Sequence, residues 1–256
     1  MTEQISHANI IAVASGKGGV GKTWFATTLC QTLAQAGRRV LLFDGDLGLA
    51  NVDVQLGLSA KHDLQHVVEG KITLARAITR FDAGGFDILA GRSGAGGLAV
   101  IPGQALQNIC DGLAALAKNY DDVVIDLGAG IDRVVRQLAS LAAVTLVVST
   151  DEPTSLTDAY AFIKLGHQAN PNAQFKIVVN MATNVIEGQR TADALQQACK
   201  KFLNVTPALA GIIRRDTKVR EAIRAQLPLL TRSPTSDAAA DVAAIVRNLG
   251  VAKAVA

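Results

Sequence analysis

The sequence predicts an α/β protein with a single doubly wound, mostly parallel sheet of about seven or eight strands flanked by helices. Short β-branched runs alternate with Ala- and Leu-rich segments of helical spacing, which is the pattern of repeated βα units. Several runs are apolar at nearly every position, as strands buried on both faces of a parallel sheet are. Hydrophobic residues make up 49% of the chain and aromatic residues only 4%, so Ala, Val, Leu and Ile must build the core.

Strands and helices are expected to alternate along the chain. The predicted strands are Ile10–Ala14, Val40–Phe43, Asp87–Leu89, Val123–Ile125, Val144–Ser149, Lys176–Val179 and Leu209–Ile213. The predicted helices are Lys22–Ala36, Gln104–Ala117, Val134–Ala142, Thr154–Ala169, Gly188–Phe202, Lys218–Gln226 and Asp237–Leu249. No linker rich in Pro, Ser and Gly interrupts the sequence, so we expect one domain over residues 1–256, with flexible ends at 1–8 and 250–256.

Charge and cysteine content argue against several classes of protein. The formal net charge of +3 is too small for a protein that coats polyanions, although it allows a local basic patch. The three cysteines form no CxxC pair, which argues against a disulfide framework or a cysteine-rich zinc site. The N-terminus does not resemble a signal peptide. The longest uncharged apolar stretch, Gln137–Thr150, is shorter than the roughly 18–20 residues of a membrane-spanning helix. We therefore expect a soluble cytoplasmic protein.

A glycine-rich loop between the first predicted strand and helix is the strongest local signal. Residues 16–23 read GKGGVGKT and match the pattern GxxxxGK[ST]. Glycines let backbone N–H groups turn toward a polyphosphate, and the positive end of the following helix adds to the attraction. Lys22 would neutralise the β- and γ-phosphates and the Thr23 hydroxyl would ligate Mg²⁺; a turn without a ligand is the alternative. The expected ATP contacts in this region are Gly16, Lys17, Gly18, Gly19, Val20, Gly21, Lys22, Thr23 and Trp24.

Three aspartates follow strands that are predicted to end at one edge of the sheet. Asp44 and Asp46 lie two residues apart in extended chain and therefore point to the same side. That side faces the crevice at the carboxyl ends of parallel strands; a cap or turn is the alternative. Asp126 ends an apolar strand, which is the Walker B pattern, and would hold a water of the Mg²⁺ shell. Gly128 and Gly130 come next and form either a switch loop near the γ-phosphate or a plain tight turn.

Lys17 places a second lysine inside the glycine-rich loop, in the form KGGVGKT. Together with the motifs above, this loop resembles the deviant Walker A motif of the MinD/ParA family. The resemblance implies a P-loop NTPase fold of the SIMIBI type and an ATP-dependent homodimer in which Lys17 reaches the partner's nucleotide. It also implies slow, partner-stimulated ATP hydrolysis. The catalytic residues would be Lys17, Lys22 and Asp46, with Asp46 orienting the attacking water and Asp44 helping to hold the Mg²⁺ shell. A solvated loop lysine is the alternative for Lys17.

The same resemblance implies which residues contact the adenine base of ATP. Asn180 ends a later predicted strand, where the family places an asparagine that reads the adenine edge. A turn residue is the alternative for this asparagine. Residues 211–216 read GIIRRD and match the loop that closes over the base. The resemblance implies base contacts from Ile213, Arg214 and Asp216.

The resemblance also implies a switch and dimer region. Asp158 occupies the position of an aspartate that pairs with the loop lysine in MinD relatives. Lys17 would then exchange between Asp158 and the nucleotide, while Gly128 and Gly130 would respond to the γ-phosphate.

Within the family, three segments are most similar to the FlhG/FleN branch, whose members set flagellar number and placement. The segments are 44–58 (DGDLGLANVDVQLGL), 126–131 (DLGAGI) and 152–160 (EPTSLTDAY). The partners implied are a flagellar SRP-type GTPase, a flagellar switch or C-ring protein, or a flagellar transcription regulator. A ParA-type cargo positioner, a MinD-type division-site regulator and, with less support, an ATP-dependent metabolic ligase are the alternatives.

Two further surfaces leave alternatives open. A basic cluster would either bind DNA non-specifically or form a solvated, partly ion-paired face; it comprises Arg214, Arg215, Lys218, Arg220 and Arg224. An apolar stripe on the last predicted helix would either anchor the protein peripherally at the inner face of the plasma membrane or pack on the domain. The stripe comprises Val242, Ile245, Val246 and Leu249.

Overall fold

The computed structural model describes residues 7–58, 62–91 and 101–250. Its eight strands form one sheet in the order β3-β4-β2-β5-β1-β6-β7-β8, and every pairing is parallel except that of β3 with β4. The strands are β1 (His7–Ser15), β2 (Val40–Gly45), β3 (Thr79–Phe81), β4 (Phe86–Leu89), β5 (Asp122–Ala129), β6 (Ala142–Ser149), β7 (Phe175–Ala182) and β8 (Ala208–Arg214). The predicted fold class is confirmed.

Long helices connect the parallel strands, and shorter helices lie in the connections. They are α1 (Lys22–Gln35), α2 (Val52–Leu56), α3 (Leu64–Val68), α4 (Leu74–Ala77), α5 (Gly103–Ala117), α6 (Arg133–Ala139), α7 (Pro153–Ala169), α8 (Val185–Leu203), α9 (Thr217–Arg224), α10 (Leu229–Arg232) and α11 (Asp237–Asn248). Several helices begin with a side-chain cap; Asn184, for example, accepts a hydrogen bond from the Glu187 amide at the start of α8, which satisfies an otherwise free N–H group.

The sheet is buried on both faces, as its apolar strands require. In β1, Ile10 and Ala12 belong to one core cluster while Ile11 and Val13 belong to the other, because successive side chains of a strand point to opposite faces. Helices α5 to α8 contribute to the first cluster, and α1, α10 and α11 contribute to the second. Because β2, β5 and β1 are parallel neighbours, the segments that follow these strands lie at one edge of the sheet.

Some predicted boundaries are wrong. The predicted helix Val134–Ala142 ends at Ala139 in the structure, and Ala142 is already the first residue of β6; the apolar residues at this junction suit either element. Strand β3 and the helices α2, α3, α4 and α10 were not predicted, because segments of three to five residues carry too little periodicity.

The apolar stripe of α11 packs on the domain, so of the two alternatives for this stripe the structure favours packing. Val242 and Ile245 are fully buried and Val246 nearly so, in the core cluster beneath α1 and β8. These side chains are therefore not available to a membrane in this conformation. Among the residues that the structure describes, no helix has the length and apolar character needed to span a bilayer.

Candidate active site

The glycine-rich loop follows β1 directly and leads into α1, as predicted. The Ser15 hydroxyl donates a hydrogen bond of 2.7 Å to the carbonyl oxygen of Lys17, and the Asn180 side-chain amide donates one of 2.8 Å to the carbonyl oxygen of Val20. The carbonyl of Gly21 accepts the Phe25 amide, the first hydrogen bond of the helix. Two side chains from β1 and β7 thus hold loop carbonyls, which favours turning its N–H groups toward an anion.

Two loop glycines cannot be replaced without a shift in the backbone or its neighbours. A Cβ at Gly16 would lie 2.3 Å from the backbone oxygen of Asp158 in α7. Gly21 has φ of 85°, which non-glycine residues rarely adopt, and a Cβ there would lie 2.4 Å from the Asn180 amide nitrogen. The loop is therefore packed tightly between α7 and β7.

Lys22 and Asp126 form a nearly buried charged pair at the floor of the loop. The Lys22 ammonium lies 3.8 Å from Asp126 Oδ1, and their side chains are 10% and 1% exposed. Burial raises the pKa of Asp126 to about 6, although the Lys22 charge and a hydrogen bond from Thr23 act in the opposite direction. Asp126 Oδ1 has no hydrogen-bond donor among the described residues, which is a costly state for a buried carboxylate.

Asp44 lies beside Asp126, because the two residues are paired in register between β2 and β5. Asp44 is fully buried, and its carboxylate accepts the backbone N–H groups of Asn51 and Val52 at 3.2 Å and that of Asp46 at 3.3 Å. Burial, followed by the Asp126 charge, raises the pKa of Asp44 to about 8. Asp44 therefore shapes the segment after β2 and places a second carboxyl next to Asp126.

Asp46 lies at the surface side of the same cluster. Its Oδ1 accepts the Leu49 amide at 3.0 Å, and a Cβ on Gly128 would lie 3.5 Å from this carboxylate. Gly130 has φ of 97° and donates its N–H to the carbonyl of Ser15 at 3.0 Å. The turn after β5 is thus tied to the start of the phosphate loop and lies close to Asp46.

Lys17 is held at the opposite rim of the loop. Its ammonium pairs with the Glu152 carboxylate and donates a hydrogen bond of 3.0 Å to the Thr154 hydroxyl. The predicted pair with Asp158 is not the one formed here. Asp158 lies one turn further along α7, where its backbone and Cβ instead pack against Gly16.

Comparison with known proteins agrees with this geometry. The family model described as "CobQ/CobB/MinD/ParA nucleotide binding domain" matches residues 11–229. The chain belongs to the MinD/ParA family. It is 37% identical to the antiactivator FleN of Pseudomonas aeruginosa over 240 aligned residues. The alignment covers 94% of this chain and 85% of FleN.

Other relatives within the family have different roles. The flagellum site-determining protein YlxH of Helicobacter pylori is 33% identical, over 76% of this chain and 65% of YlxH. The septum site-determining protein MinD of Bacillus subtilis is 35% identical, over 83% of this chain and 78% of MinD. The solved structure of MinD complexed with Mg-ADP from Pyrococcus horikoshii has a TM-score of 0.80 at 23% identity, covering 95% and 96% of the two chains. That likeness confirms the fold.

The donors at the loop fit a nucleotide–magnesium complex of the kind that the MinD/ParA family implies. Hydroxyl and carboxylate oxygens are the ligands that Mg²⁺ prefers, and Thr23, Asp44 and Asp126 supply both types. The Oδ1 atom of buried Asp126 accepts no hydrogen bond from the described residues, and a hydrated cation would satisfy it. These three residues are therefore the ones that would hold the metal.

The residues assigned to the base are engaged with the protein itself. Arg214 makes a two-pronged ion pair with Asp241 at 2.9 Å and a further pair with Asp237, both in α11. Asp216 caps α9 by accepting the Lys218 amide. Their side chains join β8 to α9 and α11.

Three other predicted contact residues are largely buried. Asn180 is 3% exposed, Ile213 is 1% exposed and Trp24 is 4% exposed. Asn180 contacts the phosphate loop, whereas Ile213 and Trp24 lie in the core cluster on the α1 side of the sheet. Their predicted roles toward the nucleotide stay predictions.

Sequence reasoning missed Glu152, Thr154 and Ser15 as residues that contact the loop. The signal for Glu152 was available, because an acidic residue directly before Pro153 at a predicted helix start follows a strand that ends at the same edge of the sheet. Ser15 carried no comparable signal, since a serine at a strand end is common.

Proposed function

We propose that this protein is an ATP-dependent, dimerising molecular switch that hydrolyses ATP to ADP and phosphate slowly and faster with a partner. The observation that carries the proposal is the loop at residues 16–23, with Lys22 beside an oxygen of buried Asp126 that accepts no hydrogen bond from the described residues. A buried carboxylate oxygen that accepts no hydrogen bond, with a lysine too distant to donate one, is costly for the protein alone. The cost is explained if a phosphate–cation complex binds there.

ATP binding would follow from the loop and the start of α1. Backbone N–H groups of the loop and the positive helix end attract the phosphates. Lys22 would turn from Asp126 to the β- and γ-phosphates. Bound Mg²⁺ would supply charge neutralisation of the phosphate oxygens.

Hydrolysis would depend on Asp46. One oxygen of its carboxylate accepts the Leu49 amide, which fixes the orientation of the side chain. The other oxygen would accept a proton of the attacking water and hold that water in line with the γ-phosphate. Hydrolysis would remain slow until a partner or the second protomer completes the site.

Lys17 would leave Glu152 and Thr154 when two protomers meet, and would contact the partner's nucleotide. A cation supplied in trans stabilises charge that develops on the transferred phosphoryl group, as an arginine finger does. The exposed position of Lys17, with 36% of its side chain accessible, supports this role. The nucleotide would then decide which surface the dimer presents.

The biological output we propose is control of flagellar number or placement. The support is that relatives include FleN and the flagellum site-determining protein YlxH. The corresponding partners would be a flagellar SRP-type GTPase, a C-ring protein or a flagellar transcription regulator.

The test is light scattering during size-exclusion chromatography of an Asp46→Ala variant with ATP or ADP and Mg²⁺. We expect a dimer with ATP and a monomer with ADP, because binding is retained while hydrolysis is blocked. Lys17→Ala in the Asp46→Ala background is the matched control and should remain monomeric with ATP. A protein that binds no adenine nucleotide, or that has one oligomeric state with both, contradicts the proposal.

A ParA-type role on DNA has one specific observation in its favour. Arg215, Arg220 and Arg224 are exposed, and among the described residues no ion pair involves them, whereas Arg214 and Lys218 are paired with acidic groups. Three free arginines suit phosphate contacts. An electrophoretic shift of DNA with ATP at low salt that is lost in an Arg220→Ala/Arg224→Ala variant would favour this role; no shift would exclude it.

A further inference from the structure

Two of the four histidines of the chain form a cluster that the nucleotide site does not use. His62 lies directly before Asp63, the residue that caps α3, and His66 lies in the first turn of that helix. The centroids of the two imidazole rings are 5.7 Å apart, and the ring planes meet at 84°. Two rings at this separation offer two nitrogen donors in one place.

The ring of His66 is held as the rings of metal-binding histidines usually are. Its Nδ1 atom lies 2.9 Å from Asp63 Oδ1, and the same oxygen accepts the His66 backbone amide at 3.2 Å. An ionised carboxylate accepts hydrogen bonds and donates none, so Nδ1 carries the proton and, in the neutral ring, Nε2 carries the lone pair. A carboxylate behind the ring is a frequent partner of histidines that bind metals, because it fixes the tautomer.

His62 has a ring nitrogen that the protein does not satisfy. Its Nδ1 atom is buried and has no hydrogen-bond partner among the described residues, and a buried polar atom in this state is costly. Imidazole nitrogens bind borderline divalent metals such as Zn²⁺ and Cu²⁺. A metal ion is therefore a ligand that suits both rings at once.

The histidine cluster differs from the proposed Mg²⁺ site in its donors. The Leu64 amide donates a hydrogen bond of 3.2 Å to the carbonyl of Ala90, which places the cluster just past the end of β4. The neighbouring strand β2 carries Asp44 of the phosphate side. Carboxylate and hydroxyl oxygens suit hard Mg²⁺, whereas imidazole nitrogens suit borderline transition metals. The two sets of donors should therefore select different ions.

We propose that His62 and His66 bind one divalent transition-metal ion of the Zn²⁺ class. His66 binds it through Nε2, and water completes the coordination. The His66 side chain is 30% exposed, so the ion and its water molecules have access from solvent. Among the residues that the structure describes, no group of three His, Cys, Asp or Glu side chains could hold a metal. The site therefore has two protein ligands, and its ion exchanges more readily than that of a four-ligand structural zinc site.

The bound ion ties the residue before the α3 cap to the helix itself. Because α3 has only five residues, it gains little stability from its own hydrogen bonds. Zn²⁺ should therefore raise the thermal unfolding temperature of the protein, as any ligand does that binds only the folded state. This inference does not rest on the proposed ATP switch.

Binding is tested by isothermal titration calorimetry of the untagged full chain with Zn²⁺, without nucleotide and with excess Mg²⁺. The Mg²⁺ competes for the oxygen donors of the phosphate side but not for imidazole. The three cysteines are buried, so their thiols are not accessible to the added ion. We expect saturable binding of one Zn²⁺ per chain.

Variants locate the site. Removal of a group behind a metal ligand typically lowers metal affinity by about 10–100-fold, so His62→Ala and His66→Ala, which remove a ligand itself, should each lower it at least about tenfold. His167→Ala is the matched control, because it removes a histidine of α7 outside the cluster, and it should bind Zn²⁺ like the wild type. Cooperative thermal unfolding of each variant in EDTA shows that it is folded.

Cu²⁺ counts the nitrogen ligands without relying on a variant. It binds nitrogen donors more tightly than Zn²⁺ does, and the nitrogen hyperfine couplings in the electron paramagnetic resonance spectrum of its complex report how many nitrogens are bound. We expect couplings from two imidazole nitrogens in the wild type and from one in His66→Ala.

Four outcomes would overturn the inference: no saturable Zn²⁺ binding, Zn²⁺ binding that excess Mg²⁺ abolishes, Zn²⁺ binding that is retained in a His62→Ala/His66→Ala double variant, or a Cu²⁺ spectrum with fewer than two nitrogen ligands. The second would assign Zn²⁺ to the phosphate side, and the third would assign it to other donors. Because no nucleotide is present in these measurements, their failure would leave the proposed ATP switch unaffected.

Discussion

The phosphate side and the base side of the predicted site are built in different ways. On the phosphate side, Asp44 and Asp126 are buried with raised pKa values, and one oxygen of Asp126 has no donor in the part of the chain that the structure describes. On the base side, Arg214 is paired twice with α11 and Asp216 caps α9. On the phosphate side the ionisation of two buried carboxyl groups is costly, whereas on the base side each charged group is satisfied by its own neighbours.

This difference predicts which residues bind a ligand and which serve the fold. A folded chain tolerates a desolvated carboxylate oxygen that accepts no hydrogen bond only where other interactions offset the cost, and such positions cluster at functional sites. A satisfied ion pair such as Arg214–Asp241 serves the fold instead. Substitutions on the phosphate side should therefore change ligand affinity, and those on the base side should change stability.

Lys22→Ala should give the largest effect. Removal of the ammonium takes away a phosphate contact, and we expect Mg-ATP affinity to fall by about a hundredfold. Isothermal titration calorimetry measures the affinity. Lys118→Ala, which removes an exposed lysine at the end of α5, is the control and should bind like the wild type. If Lys22→Ala binds within a few-fold of wild type, the phosphate side is not the binding region.

Asn180→Ala sharpens the comparison, because the family resemblance assigns Asn180 to the base, whereas in the structure its side chain holds the Val20 carbonyl of the loop. Loss of that hydrogen bond should loosen the loop and lower the affinity for ATP about tenfold. The affinity for inorganic tripolyphosphate, which lacks a base, should fall by the same factor when it is measured by competition. If only the affinity for ATP falls, Asn180 contacts adenine as the family resemblance implies.

Arg214→Ala should affect stability more than affinity. It leaves Asp241, whose side chain is 14% exposed, without its guanidinium partner, and we expect the free energy of unfolding to fall by about 1–2 kcal/mol. Urea denaturation gives this value, and Arg215→Ala, an exposed neighbour, should stay within about 0.5 kcal/mol. A large loss of ATP affinity in a folded Arg214→Ala protein would erase the distinction between the two sides.

The smallest effect concerns the pH dependence of stability. The pKa of Asp44 rises from 3.8 to about 8 on folding, so folding takes up a proton between these values and stability falls as pH increases through them. Relative to Asp44→Asn, the wild type should lose up to about 1 kcal/mol in free energy of unfolding between pH 6 and 7. Urea denaturation in EDTA without nucleotide measures this difference, and a difference that does not change with pH would contradict the assignment.

Much of the phosphate side could be predicted from sequence because its chemistry is local. The glycines and Lys22 occupy one short segment, and Asp44 and Asp126 each end an apolar strand whose position in a parallel sheet follows from the βα pattern. Asp44 and Asp126 meet because parallel strands end at one edge. That edge was predictable without coordinates.

The remaining contacts depend on packing that no local pattern encodes. Lys17 and Glu152 are 135 residues apart, and whether Lys17 meets Glu152 or Asp158 depends on how α7 is placed against the loop. The resemblance assigned Arg214 to the base. Its actual partner, Asp241, lies on a helix 27 residues later, and no pattern near Arg214 in the sequence indicates that pairing. Both pairings depend on how a distant helix is oriented in the folded protein, which no local sequence pattern specifies.

Trp24 gives the protein a built-in optical signal. It is the single tryptophan of the chain, it is 4% exposed, and it directly follows Thr23 at the start of α1. All indole emission therefore originates from one shielded position one residue away from a predicted magnesium ligand. Changes in that emission on adding nucleotide would follow occupancy in real time without a dye.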